Sequence, residues 1–137
     1  MCPGWSGFSL IHCCFLPFFL SLALDGHALQ NLNLSNNQLS ALPESICKLS
    51  ALIELDISSN DLEELPQGIG KLSKLVKVDA SYNRLAFFPQ ALLDCTNLEL
   101  LNLEENSIGS VPNEIALKLT NLQNLLLDGN PIGKPKK

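Results

Sequence analysis

Residues 52–74 read LIELDISSNDLEELPQGIGKLSK, and a unit of this kind recurs along the chain. In each copy, leucine or another apolar residue occupies fixed offsets and is followed by an asparagine; the first four copies then have a proline. Successive copies start 23, 23, 23 and 24 residues apart, at Leu29, Leu52, Leu75, Leu98 and Leu122. A fixed period of about 20–29 residues indicates a repeat architecture, in which each unit is completed by its neighbours.

The start of each unit has the pattern of a short strand with one buried face. Leu55 and Ile57 alternate with polar residues, which is the period of a half-buried strand. A single strand of this kind has nothing to cover its apolar side. Stacked copies form a parallel sheet with a continuous core, in which burying each Leu or Ile contributes about 1.5–3 kcal/mol.

The asparagine and the proline have separate roles in the unit. An asparagine amide donates two hydrogen bonds and accepts two, so it can pair with backbone groups where the chain leaves the sheet. Stacking predicts an internal asparagine ladder of Asn37, Asn60, Asn83, Asn106 and Asn130. Proline suits the first position of a helix. The prolines therefore predict short helical return segments that begin at Pro43, Pro66, Pro89 and Pro112.

The pattern L-x-x-L-x-L-x-x-N-x-L over residues 29–132 resembles the leucine-rich repeat. The segment L-P-x-x-I-x-x-L further resembles its 23-residue cytosolic Ras-group class, which includes Ras suppressor, Scribble-like scaffolds and plant intracellular relatives. The resemblance implies a right-handed α/β solenoid, with about five parallel strands on its concave face and short helices on its convex face. It also implies an adaptor in intracellular signalling and no enzyme activity.

The repeats form one domain, residues 25–137, which ends in a basic tail at 134–137. Its units are residues 29–51, 52–74, 75–97, 98–121 and a partial unit at 122–133. The fourth unit has one extra residue, which predicts a slightly longer helix. The array has few units for its class and no evident cap, so we expect a short isoform or a fragment with a fraying last strand.

Residues between the strand leucines are expected to point outward on the concave face. Parallel stacking places equivalent residues of neighbouring units about 4.8 Å apart, so Asp56 lies beside Asp79. These columns predict a polar, acidic surface that binds a protein with a basic or polar surface. The alternative is that the columns are merely a solvated family strand. The predicted contact residues are Asn33, Ser35, Glu54, Asp56, Ser58, Lys77, Asp79, Ser81, Tyr82, Asn102, Glu104 and Glu105.

Charge and composition argue against several other functions. The net charge is −5, and residues 26–133 hold 13 acidic against 6 basic side chains, whereas nucleic-acid binding requires a basic stripe. Both histidines, His12 and His27, precede the repeats, and no glycine-rich phosphate loop is present. We therefore expect no catalytic residue, cofactor or metal site, and the oligomeric state stays open.

The location of the protein depends on residues 1–24, which contain no charged side chain. This apolar leader has three interpretations: an atypical N-terminal exon, a signal peptide or a membrane anchor. Cys47 and Cys95 occupy different columns, so no disulfide is expected, and the sequence lacks the cysteine-rich caps of secreted relatives. These features favour a cytoplasmic protein. Export or membrane tethering is the alternative, and it would allow a glycan on Asn33 in the acceptor Asn33-Leu34-Ser35.

Overall fold

The computed structural model describes residues 29–134. The leader 1–24 and the last three residues of the basic tail lie outside the described residues, so the three interpretations of the leader stay predictions. Strands and short helices alternate from one end to the other. The strands are β1 Asn31–Asn33, β2 Glu54–Asp56, β3 Lys77–Asp79, β4 Leu100–Asn102 and β5 Asn124–Leu126, and the helices between them are Glu44–Lys48, Gln67–Lys71, Gln90–Asp94 and Ile115–Lys118.

The five strands form one parallel sheet in the order of the chain. Each strand pairs with the next at a shift of one repeat, so Leu32 lies beside Leu55 and Leu55 beside Val78. The backbone ladder continues beyond the three-residue strands, since the N–H of Leu34 donates to the carbonyl of Asp56 at 2.7 Å. The predicted α/β solenoid with five parallel strands is confirmed.

The core lies between the sheet and the helical returns. Leu34, Ile57 and Leu103 follow the ends of their strands and are fully buried. Cys95 occupies the column of Leu49, Leu72 and Leu119 and is also buried. Its thiol donates to the carbonyl of Ile69 at 3.4 Å. Cys47 and Cys95 are both free, as predicted.

The return segments differ from the prediction in the position of proline. The first three are five-residue 3₁₀ helices, and Pro43, Pro66 and Pro89 each lie one residue before the helix. The predicted first helical position is therefore wrong. Pro43 has an extended ψ of 148° and is therefore not part of the helix, and its carbonyl accepts the N–H of Ile46 at 3.1 Å.

The return of the fourth unit, which has one extra residue, contains a helix that differs in type from the others and is one residue shorter. Residues Ile115–Lys118 form a four-residue α-helix, here called α1, and Pro112 lies three residues before it. The N–H of Leu119 donates to the carbonyl of Ile115 at 2.8 Å, which is an α-helical bond. The wider α-turn accommodates the added residue, so the predicted longer helix is wrong.

Burial decreases at the last unit. Leu122, Leu125 and Leu127 are only partly buried, although the equivalent leucines of the preceding unit, at 98, 101 and 103, are completely buried. Within residues 29–134, no helix is long and apolar enough to cross a membrane.

Candidate functional site: the outward face of the sheet

The asparagine ladder holds the ends of the strands in register. The N–H of Leu39 donates to Asn60 Oδ1 at 3.1 Å, and Asn60 Nδ2 donates to the carbonyls of Leu34 and Ile57 at 2.9 and 3.1 Å. One side chain thus joins two repeats. Bonds of the same kind are made across repeats by Asn83, Asn106 and Asn130, and Asn37 bonds to the carbonyls of Leu34 and Ser35 within the first unit.

The residue before each ladder asparagine has a left-handed backbone conformation. Tyr82 has a φ of 54°, although a bulky side chain rarely adopts a positive φ. It is 60% exposed, beyond the end of β3. Tyr82 and Glu105 of this column are among the predicted contacts, but their conformation was not predicted, although Asn36 and Gly129 in the same column were the available signal. The column is Asn36, Ser59, Tyr82, Glu105 and Gly129.

Asp56 and Asp79 are register partners on β2 and β3, and each has a local structural role. Asp56 Oδ1 accepts the N–H and the hydroxyl of Ser58 at 3.0 and 2.7 Å. Asp79 Oδ1 accepts the same two groups of Ser81 at 3.0 and 2.6 Å. Each carboxylate therefore uses one oxygen to hold the end of its strand. Ser81, one of the predicted contacts, is only 4% exposed and so offers little surface to a partner.

The uncharged members of the same column make the same bond. The N–H of Ser35 donates to Asn33 Oδ1 at 2.9 Å, and the N–H of Glu104 donates to Asn102 Oδ1 at 3.0 Å. Asn102 Nδ2 also donates to Asp79 Oδ2 at 3.3 Å, across the neighbouring strands. An amide thus substitutes for the carboxylate without loss of the strand-end bond.

The predicted cation on this face is already paired. Lys77 Nζ lies 3.0 Å from Glu54 Oε1, and at the edge Arg84 lies 2.7 Å from Asp61 Oδ1. Both pairs are substantially exposed, and each contributes about 0–1 kcal/mol. The predicted contacts Glu104 and Glu105 have no ion pair among residues 29–134. The same holds for Asp128, which is not among the predicted contacts.

Two leucines interrupt the polar columns, and neither was among the predicted contacts. Leu100 lies beside Lys77 and Asn124, and Leu126 lies beside Asn102. Leu126 is 38% exposed on the same face as the polar residues. The sequence could have indicated these exposed leucines, because the equivalent positions of the first three units are polar.

The two described cysteines are not suited to nucleophilic or metal chemistry. Burial, and secondarily the charge of Glu44, raises the pKa of the Cys47 thiol to about 11. Burial, together with the charge of Asp94, raises the pKa of Cys95 to about 11 as well. Since the thiolate is the reactive form, both groups stay protonated and inert near neutral pH. Within residues 29–134, no three His, Cys, Asp or Glu side chains are grouped to hold a metal ion.

The family model for the leucine-rich repeat region matches residues 25–128, which include all five strands and four of the five ladder asparagines. The chain belongs to the leucine-rich repeat family. Proteins of this family are typically protein-binding modules rather than enzymes. No curated protein sequence matched the chain.

Solved structures of leucine-rich repeat proteins have the same architecture. A leucine-rich repeat protein from Leptospira interrogans is 35% identical with a TM-score of 0.77, over 82% of this chain and 28% of that one. An internalin from Listeria monocytogenes is 23% identical with a TM-score of 0.61, over 73% and 27% of the two chains. The functional domain of InlJ from the same species, which includes a cysteine ladder, is 22% identical with a TM-score of 0.68, over 83% and 24%. The chain thus spans about a quarter of the length of these proteins.

Proposed function

We propose that this leucine-rich repeat protein is a non-catalytic adaptor that binds a protein with a basic or polar surface through the concave face of its sheet. The observation that carries the proposal is that Asp56 and Asp79 are register partners and lie side by side on neighbouring strands. Their Oδ1 atoms are held by serine N–H groups. The carboxylates are therefore oriented before any partner arrives, which reduces the entropy lost on binding.

The test removes the charge of the two aspartates but keeps their bonds to the backbone. Asp56→Asn with Asp79→Asn reproduces the column members Asn33 and Asn102, which accept the same N–H bond. The matched control, Glu63→Gln with Glu64→Gln, removes the same charge from exposed positions outside the strand columns.

Both variants are compared with the wild-type chain against peptides selected on the wild type from a phage-displayed library. We expect the double aspartate variant to bind these peptides about tenfold more weakly, because two partly exposed charge pairs each contribute up to ~1 kcal/mol. The control should bind as the wild type does, and circular dichroism should be unchanged in both. Equal binding by all three proteins would refute the proposal.

We further infer that the adaptor is cytoplasmic and belongs to the Ras-group class of signalling scaffolds. The L-P-x-x-I-x-x-L returns and the free Cys47 and Cys95 support this inference. The apolar leader supports the alternative of an exported or tethered protein. Mass spectrometry of the chain purified from its own cells separates the two: a terminus near Ala23 or a glycan on Asn33 would establish export.

A further inference from the structure

The outward face of the sheet has two halves of different chemistry. On β1, β2 and β3 the outward residues are all polar: Asn31, Asn33, Glu54, Asp56, Lys77 and Asp79. On β4 and β5 each strand has one outward leucine, Leu100 and Leu126. The apolar surface is therefore confined to the C-terminal half of the face.

Two carboxylates lie immediately beyond these strands. The N–H of Leu103 donates to the carbonyl of Leu126 at 2.9 Å, and the N–H of Glu105 donates to that of Asp128 at 2.8 Å. The backbone hydrogen bonds between the two chain segments thus continue beyond β4 and β5. They place Glu104 beside Asp128 at the strand spacing of about 4.8 Å. Asp128 follows Leu126 by two residues, which is about 7 Å along an extended chain.

These carboxylates, like that of Glu105, differ from the acids of β2 and β3 in having no partner among residues 29–134. Glu54 is paired with Lys77, and Asp56 and Asp79 each bind a serine. Within residues 29–134, neither Glu104 nor Asp128 makes an ion pair or a side-chain hydrogen bond through its carboxylate. The unpaired negative charge is therefore concentrated beside the exposed leucine.

We propose that Leu100, Leu126, Glu104 and Asp128, together the leucine–carboxylate patch, bind a peptide segment of a partner protein that combines a large aliphatic side chain with a lysine or arginine. The aliphatic group covers Leu126 and Leu100, and the cation lies between Glu104 and Asp128. Measured from Leu126 to Asp128, the two partner positions are about 7 Å apart, which corresponds to residues i and i+2 of an extended segment or i and i+4 of a helix.

Charge complementarity selects this occupant over a second copy of the chain. The protein has a net charge of −5, and a second copy docked face to face would place carboxylates against carboxylates. A basic segment instead neutralises both acids while its aliphatic group removes leucine surface from water. The inference rests on the proposed function, since it names the partner chemistry and the part of the concave face that recognises it.

The test uses the full chain and the phage-displayed peptide library. We expect the enriched peptides to share an aliphatic residue and a Lys or Arg at one of the two spacings. Leu126→Asn introduces the residue found at the equivalent positions, Asn33 and Asn102, and should weaken binding of the enriched peptides tenfold or more. Leu100→Asn should act in the same direction. The matched control is Leu117→Asn, because Leu117 is 80% exposed on the return side and its loss should not matter.

The charge is tested by Glu104→Gln with Asp128→Asn, against the control Glu63→Gln with Glu64→Gln. We expect the patch variant to bind about tenfold more weakly and with a shallower dependence on salt, and the control to behave as the wild type does. Failure to enrich peptides, enriched peptides without a basic residue, or equal binding by the patch variants would overturn the inference.

The two proposals fail in distinguishable ways. If Asp56→Asn with Asp79→Asn weakens binding but the patch variants do not, the concave adaptor stands and the leucine–carboxylate patch is refuted. A dimer detected by light scattering that Leu126→Asn dissociates would show that a second copy, rather than a basic segment, covers the leucines.

Discussion

The side chain of Asn60 provides hydrogen-bond partners for backbone groups near the end of the strand. Its amide accepts the N–H of Leu39 and donates to carbonyls of two successive repeats. The side chain is buried, so water has little access to these groups if the amide is removed. The N–H of Leu39 would then lose its acceptor and stay buried without a hydrogen bond. The carbonyls of Leu34 and Ile57 would keep a donor in Asn37 and Asn83.

We predict that Asn60→Ala lowers the free energy of unfolding by about 1–3 kcal/mol, because the N–H of Leu39 stays buried without a hydrogen bond. Urea denaturation followed by circular dichroism measures this change. The control is Ser59→Ala, where alanine meets the same left-handed backbone and the expected change is within about 0.5 kcal/mol. Equal losses in the two variants would show that the ladder does not stabilise the repeat.

At this scale the sequence predicts which residues align, but not how each one bonds. The 23-residue period places Asp56 beside Asp79 because stacking fixes the column. The spacing itself does not give the sign of φ at Tyr82, for which the residue types at Asn36 and Gly129 are the signal, nor the serine bonds that occupy one oxygen of each aspartate. Both features arise from the sharp turn of the backbone after the strand, which spacing alone does not describe.

The return segments pack against one another more closely than their sequences suggest. A Cβ at Gly70 would lie 2.6 Å from the carbonyl oxygen of Ala91, which belongs to the neighbouring 3₁₀ helix Gln90–Asp94. That atom is backbone and cannot rotate away. The sequence indicated a helical return from proline and the apolar spacing, but the distance between neighbouring returns appears only once the repeats are stacked.

We predict that Gly70→Ala destabilises the fold by about 1–3 kcal/mol, because the added methyl group forces the two returns apart. Gly109→Ala is the matched control, since nothing lies within 4 Å of a Cβ at that position. That change should be neutral, or stabilising by up to about 1 kcal/mol through loss of freedom in the unfolded chain. Thermal unfolding of both variants gives the comparison, and a Gly70→Ala protein as stable as the wild type would contradict the close packing.

Across the whole molecule, stability depends on how many neighbours each repeat has. In a solenoid each unit contacts only the adjacent units, so the total is close to a sum of unit and interface contributions. β3 lies between two strands of the sheet, whereas β5 pairs with β4 alone among the described strands. The partly buried Leu122, Leu125 and Leu127 show the same difference in the core. The small number of repeats predicted this difference between inner and outer units. The free energy of local unfolding is therefore expected to vary along the described array.

We therefore predict that hydrogen exchange is faster at β5 than at the centre of the sheet. The N–H of Asn124 donates to Glu99 at 3.0 Å, and the equivalent N–H of Lys77 donates to Ile53 at the same distance, so the two bonds are alike. After correction for intrinsic rates, we expect Asn124 to exchange at least tenfold faster, because opening β5 breaks one interface and exposes leucines that are already partly in water. The amide of Leu100 in β4, bonded to Val76 at 3.2 Å across the interior β3–β4 pair, is the internal control and should resemble Lys77. Equal protection at all three amides, measured by NMR, would mean that the five repeats open only together and that the exposed leucines do not weaken the last unit.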